Sequence, residues 1–340
     1  MQEIGIGMLG CGWMGQIHAR NLAAIPGVRI AAAYDYSFEL ASQLVSTLGG
    51  TACATPEEVY TAPGVDAVYI CTRHDVRHEL FELSLEYMKP TFCEKPLAMT
   101  VEEAIWVTEA VQKAGILFSM GFNQRFKAGI RALRQRMDTI AMQPTAVSLS
   151  YASGGFLNCW SGLPEIGGGI LTCLGSHVLD LCRYLVGDKV ESVSCFADRQ
   201  RFPDPYLEDM AVINMRFANG AIAALSVNDH ACPGYKQVTK QHLTHLEVFS
   251  RGRVLALNGC DTVVEAVDND LKRHKFDPGD SFEQANGYSI ESEAFIEQLR
   301  SGRLFLPTVL DGLEAVRLVE AARKSAHSGK VVSMTEIPGL

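Results

Sequence analysis

Ile4-Gly5-Ile6-Gly7-Met8-Leu9 runs directly into Gly10-Cys11-Gly12-Trp13-Met14-Gly15, and a helix-like segment, Gln16 to Ala24, follows. In a chain with 30 glycines the G-x-G-x-x-G spacing says little alone. An apolar run of strand length before it and a helix pattern after it make it specific. Gly10 permits a tight turn, and Gly12 lets the backbone of Cys11, Trp13 and Met14 approach a pyrophosphate. Gly15 lets the helix lie close to the strand, and the helix N-terminus offers N–H groups to phosphate charge. Val28 to Tyr34 reads as the next strand, ending at Asp35 about 20 residues after Gly15, where an acidic side chain accepts from the adenosine ribose and repels a 2′-phosphate. The expectation is a dinucleotide site that takes NAD in preference to NADP; the plain alternative is a glycine-rich turn followed by a surface aspartate.

At 340 residues the chain is long enough for two domains, each with its own core. It is 47% hydrophobic and 20% charged, with a net charge of −9. That balance and the lack of a basic block argue against nucleic acid or an anionic membrane as partner. No apolar run approaches the roughly 18 residues of a membrane span. The N-terminal segment lacks a charged n-region and a cleavage site, which predicts a cytoplasmic protein. The ten cysteines form no C-x-x-C pair, so they read as buried free thiols. His242-x-x-His245 is the one tempting metal pair, but no third ligand stands nearby and no metal is expected.

Residues 1–120 alternate apolar strands (4–9, 29–34, 67–71, 91–93 and 117–120) with helical stretches (38–48, 78–88 and 101–114). This pattern predicts an α/β Rossmann domain with a doubly wound parallel sheet. Thr100 is placed as an N-cap with Glu103 completing a capping box. From 121 to 340 the pattern changes. A helix is expected over 126–136 and a long apolar one over 170–185. Strands follow at 146–151, 192–198, 210–217, 221–228, 243–250, 253–258 and 262–267, with closing helices near 289–301 and 308–328. Asn219-Gly220 and Arg251-Gly252 mark hairpins. The expectation is an α+β C-terminal domain with a large open, mainly antiparallel sheet.

Glu94-Lys95-Pro96 follows the strand at 91–93, and ligands in such sheets bind at strand carboxyl ends. Lys95 is either a donor to a substrate oxygen or a surface lysine before a turn proline. His177 and Asp180 stand three apart on an apolar helix and share a face. His177 is either a proton acceptor or a core histidine bonded to Asp180. His74 and His78 fall on the cofactor side of the sheet or at a helix entry. Trp160, in a Gly-rich loop, either stacks on a sugar ring or anchors that loop.

On Gly10–Gly15, Glu94-Lys95-Pro96, Gly121-Phe122-Asn123-Gln124-Arg125-Phe126 and Gly167 through Gly175-Ser176-His177-Val178-Leu179-Asp180, the chain resembles the Gfo/Idh/MocA family, the glucose–fructose oxidoreductase and inositol dehydrogenase group, nearly end to end. The resemblance implies a C-terminal sheet that makes homodimers or homotetramers. It implies Lys95 at the reacting hydroxyl and the nicotinamide ribose, with a Lys95-Pro96 bond that is often cis. It implies His177 as general base, the Thr72 backbone against the cofactor, and Asn123, Arg125 and Asp180 around a sugar or polyol; Glu94 is expected beside the cofactor, and Trp160 and Cys173 beside the substrate. Two positions depart from the pattern. Cys173 stands where many sugar and cyclitol dehydrogenases carry an aspartate, and Thr72-Arg73-His74 replaces Thr-Pro-Asn. These departures imply a changed substrate, with Asp180 supplying the charge, or weakened redox activity. Substrate choice is expected to lie in loops such as 152–164 and 232–242.

The implied activity is NAD-dependent oxidation of a secondary hydroxyl of a sugar, sugar derivative or cyclitol. NAD-assisted glycoside cleavage through a 3-keto intermediate is the first alternative, and a dinucleotide-binding regulator without turnover is the second.

Overall fold

A computed structural model describes residues 3–157, 159–232, 243–258, 261–303 and 307–340. The chain forms two compact units. The first comprises residues 1–123, 286–313 and 340, and the second comprises 124–285 and 314–339. The first crossing between units falls at 123/124, and 286–313 returns to the first unit. A helix distant in sequence can join an early core when its apolar face completes that core.

The first unit holds β1 (Ile4–Leu9), β2 (Val28–Tyr34), β3 (Thr51–Ala52), β4 (Ala67–Ile70), β5 (Thr91–Glu94) and β6 (Phe118–Gly121). They form a parallel sheet in the order β3-β2-β1-β4-β5-β6. Every residue of the central strand β1 is buried, as expected where both faces of a parallel sheet are covered. Ile6, Met8, Ile30, Tyr69 and Phe92 pack with Phe295 and Ile296 from the helix Tyr288–Ser301. Tyr69 stacks on Phe92 at 4.3 Å between ring centroids, and Phe295 meets Tyr69 edge-on at 5.2 Å. Such pairs add about 0.5–1.5 kcal/mol each beyond area burial. Thr100 caps the helix Val101–Ala114, its Oγ1 accepting from the Glu103 N–H at 3.2 Å.

The second unit carries β7 (Ala146–Ala152), β8 (Val190–Asp198), β9 (Met210–Phe217), β10 (Ile222–Asn228), β11 (Leu243–Ser250), β12 (Arg253–Asn258), β13 (Thr262–Val267), β14 (Asp270–Lys275) and β15 (Val332–Ser333). Their order is β14-β13-β12-β11-β7-β10-β9-β8-β15, antiparallel except for β7 beside β10. Both expected hairpins form, with Gly220 and Gly252 at positive φ. The sequence pattern misses β14 because Asp270-Leu271-Lys272-Arg273-His274-Lys275 is polar and almost wholly exposed; only pairing to β13 identifies it. It misses β3 and β15 because each is two residues long.

The segment at 170–185 is not one uniform helix. Leu171–Gly175 winds as a π-helical turn, and α-helical geometry resumes over Ser176–Val186. The helix expected at 126–136 runs instead over Ala128–Thr139. Every described cysteine is a free thiol. No helix among the described residues is long and apolar enough to cross a membrane. Cys260 and His242, and with His242 half of the tempting metal pair, lie outside the described residues, as do residues 233–242 of the second expected specificity loop.

Candidate active site

The glycine turn between β1 and the helix Trp13–Ala23 is set by backbone crowding. Gly10 takes φ +97°, and a Cβ there would lie 2.7 Å from the Cys71 carbonyl carbon. A Cβ on Gly15 would lie 2.0 Å from the Gly10 carbonyl oxygen, so no other residue lets the helix start this close to the strand. Gly12 differs: a Cβ built there meets nothing within 4 Å. The helix opens at Gly12 with no side-chain cap, leaving its first N–H groups available to an anion. Asp35 closes the turn from the end of β2. Its Oδ2 accepts from the Cys11 N–H at 2.7 Å and its Oδ1 from the Ser37 N–H at 2.9 Å. Burial pushes the Cys11 thiol up to about 12, with Asp35 adding to the rise, so it stays a thiol. Trp13 is exposed beside this turn. A clear space at Gly12, an uncapped helix start and a carboxylate at the end of β2 fit a dinucleotide.

At the end of β5, Lys95 is held from both sides. Its backbone N–H donates to Glu94 Oε2 at 3.1 Å, and the Lys95-Pro96 bond is cis. Arg77, which is buried, donates through Nη1 to the carbonyls of Glu94 and Pro96 and through Nη2 to that of Thr72 at 2.8 Å. One guanidinium therefore braces the backbone on both sides of Lys95 and ties it to Thr72, two residues beyond β4. Glu94 is itself buried and meets His18 Nε2 at 2.9 Å. Burial would raise the Glu94 carboxyl; the His18 hydrogen bond and the charges of Lys95 and Arg77 outweigh it and hold the group below the usual carboxylate range. A Cβ on Gly121 would lie 3.0 Å from Glu94 Cα and 3.2 Å from Glu94 Oε2, which explains the glycine that opens the 121–126 motif.

The two histidines near β4 have different surroundings. His74 is buried, whereas His78 is exposed, stacks on Trp106 at 4.3 Å and meets Glu103 at 3.3 Å. The structure thus turns His78 towards the helix Val101–Ala114. Asn123 is buried and donates through Nδ2 to the Asn286 carbonyl at 2.9 Å.

In the second unit, Cys173 sits in the buried π-helical turn and His177 one residue into the helix that follows. Ser176 Oγ donates back to the Thr172 carbonyl at 2.7 Å. Arg323 donates to the Gly168 carbonyl and to Thr172 Oγ1, fixing the Gly167–Gly169 entry to the turn. Asp180 lies on the same helix, and both its oxygens meet Arg125, Nε donating to Oδ2 at 2.8 Å and Nη2 to Oδ1. This buried bidentate pair balances the charge that Asp180 brings to the helix. Arg125 also lies 5.0 Å from the Tyr184 ring centroid. Trp160 stands partly exposed in a short turn, Trp160–Gly162.

Two residues in these networks escape the sequence reading: His18 and Arg77. His18 falls three residues after Gly15, on a helix whose apolar positions give no hint of a buried polar partner. Arg77 looks like a surface charge between two histidines.

Residues 4–122 match an oxidoreductase family with an NAD-binding Rossmann fold, the Gfo/Idh/MocA family, and residues 143–250 match that family's C-terminal domain. The chain is 28% identical to myo-inositol 2-dehydrogenase of Thermotoga maritima, covering 98% of this chain and 99% of the relative. It is 30% identical to inositol 2-dehydrogenase 2 of Paenarthrobacter aurescens, with 96% of each covered. A solved levoglucosan dehydrogenase in complex with NADH and levoglucosan shares the fold at a TM-score of 0.88 and 21% identity, over 98% of this chain and 100% of that one. The glycine turn, the two sheets and these end-to-end likenesses establish that the chain is an NAD-binding oxidoreductase of the Gfo/Idh/MocA family.

Proposed function

We propose that this protein is an NAD-dependent dehydrogenase that oxidises a secondary hydroxyl of a sugar, sugar derivative or cyclitol. The observation that carries the reading is the double brace on Lys95. A lysine whose backbone is held by a buried carboxylate and a buried guanidinium is placed, which a surface lysine does not require. The curated relatives named as inositol 2-dehydrogenases support a polyol substrate.

Gly10–Gly15 and Asp35 hold the cofactor, which supplies the hydride acceptor. Lys95 donates a hydrogen bond to the hydroxyl oxygen and orients it. His177 accepts the hydroxyl proton as the C–H bond breaks. Arg125 keeps Asp180 in place one helical turn beyond His177, and Asn123, Trp160, Cys173, Thr72 and His74 complete the proposed contacts to substrate and cofactor. Cys173 supplies a thiol where an aspartate would raise the basicity of the histidine, and this favours a substrate other than the one such aspartate-bearing enzymes take. Phe196, 79% exposed on β8, and its exposed cross-strand partner Val212 on β9 support assembly into a homodimer or homotetramer.

Purified protein incubated with NAD and a panel of cyclitols and sugars is expected to form reduced nicotinamide with at least one of them; none reacting would end the reading. Lys95→Ala is expected to cut kcat by roughly 100-fold or more, the scale of one acid–base or electrostatic contact, while leaving NAD affinity within about threefold. An unchanged kcat would remove Lys95 from the chemistry.

A further inference from the structure

Three buried polar side chains of the first unit converge behind Lys95. One nitrogen of His18 and one oxygen from each of Glu94 and Glu291 lie within 4.8 Å of one another, and all three residues are buried. They come from three elements: the helix Trp13–Ala23, β5 and the helix Tyr288–Ser301. Aromatic rings wall the group in, with Phe92, Tyr69 and Tyr288 lying 5.0, 5.5 and 5.8 Å from the His18 ring. Glu94 is committed, one oxygen to His18 and the other to the Lys95 N–H. Glu291, 2% exposed, has no hydrogen-bond partner for either oxygen among the described residues.

A carboxylate buried without a partner, this close to a second carboxylate, pays both desolvation and like-charge repulsion. The positive charges near the cluster act on Glu94: those of Lys95 and Arg77 both lower its carboxyl, and Arg77 also donates to its carbonyl. From β4 the neighbouring titratable groups are Tyr69 and Cys71, and burial pushes both well up, with Glu291 adding to the rise at Tyr69 and Glu94 at Cys71. Neither supplies positive charge.

We propose that Glu291 is a neutral carboxylic acid and a positioning residue for the reaction: its proton keeps a second negative charge away from Glu94, so that Glu94 stays an anion fixed between His18 and the backbone of Lys95. Burial first, and repulsion from Glu94 second, push the Glu291 carboxyl well above its usual range, in line with this assignment. Ionisation of Glu291 in alkali sets two carboxylates against each other and loosens the brace on Lys95. The catalytic consequence rests on the role of Lys95 given above; the protonation state does not.

The sign of the stability effect follows. A carboxyl whose proton is held more tightly in the fold costs stability as pH rises from its unfolded value, about 4.3, through its folded value. The test compares wild type and Glu291→Gln, which is neutral at every pH. Wild-type Tm is expected to fall between about pH 6 and about pH 9, and the variant to lose at least half of that fall. In NAD-saturated turnover the variant is expected to keep kcat within about threefold at neutral pH and to lose the alkaline decline that wild type shows. Infrared spectra of the wild type at neutral pH are expected to carry a buried carboxylic-acid carbonyl band; this arm needs no variant, should Glu291→Gln fail to fold. Equal alkaline loss of Tm in both proteins, or no such band, overturns the proposal. So does a divalent metal, found by elemental analysis at one per chain and absent from the variant, because a cation would then do what the proton is assigned to do. The Tm and infrared arms need no substrate, so they stand or fall apart from the dehydrogenase reading.

Discussion

Two glycine-rich segments of this protein lead into helices, and they are built on different physics. Gly10–Gly15 is a matter of backbone clearance: a methyl at Gly15 would sit 2.0 Å from a carbonyl oxygen, and the helix that follows leaves its first N–H groups uncapped. Gly167–His177 is a matter of winding. Gly168 and Gly169 turn at positive φ, and Leu171–Gly175 then takes a π-helical pitch before the α-helix resumes at Ser176. That change of pitch sets the relative angular positions of Cys173, His177 and Asp180, so residues four apart do not superpose as in a regular α-helix. In the function proposed above, the first segment presents backbone to the cofactor, and the second aims the side chains that would select what is oxidised.

The comparison breaks most sharply at Asp180. Asp180→Asn leaves the buried Arg125 guanidinium without its counter-charge, and a cost of about 3–5 kcal/mol in unfolding free energy is expected, with NAD affinity little changed. Denaturant titration reads it, and a loss below about 1 kcal/mol would mean that the pair does not hold the second segment. Gly15→Ala attacks the first segment. Overpacking against Gly10 is expected to cost roughly 1–3 kcal/mol and to abolish measurable NAD binding by calorimetry. Retained affinity would show that the close approach of helix and strand is dispensable. Asp35→Ala is the mildest. It removes the acceptor for the Cys11 N–H and the charge facing a 2′-phosphate, and the NAD-over-NADP preference is expected to fall roughly tenfold. An unaltered ratio would assign the preference elsewhere.

Much of the frame was legible in the residues because its cues are local. A strand of apolar residues, a glycine spacing and an acidic residue at the end of the next strand lie within 35 positions. Asn219-Gly220 specifies its own hairpin, and Thr100 its own cap, for the same reason. Legibility failed where identity depends on a distant partner. Strand β14 exists only because β13 offers it a ladder. The π-helical turn lies in an apolar run with no residue that announces a change of pitch. Arg77 reads as a surface charge until the carbonyls of Glu94 and Pro96 are placed beside it.

The sequence by itself determined that this chain binds a dinucleotide, that parallel and antiparallel sheets follow in order, and that Lys95 and His177 are the groups to weigh. Those conclusions rest on covalent spacing and on the intrinsic freedom of glycine, which travel with the chain whatever its neighbours. Only the tertiary structure decided that Glu94 is a buried hub rather than a surface carboxylate, that Asp180 belongs to Arg125, and that Glu291 closes a site opened by Glu94. Burial and charge pairing are properties of a position in space, and the 196 residues between Glu94 and Glu291 hide that position from any local reading.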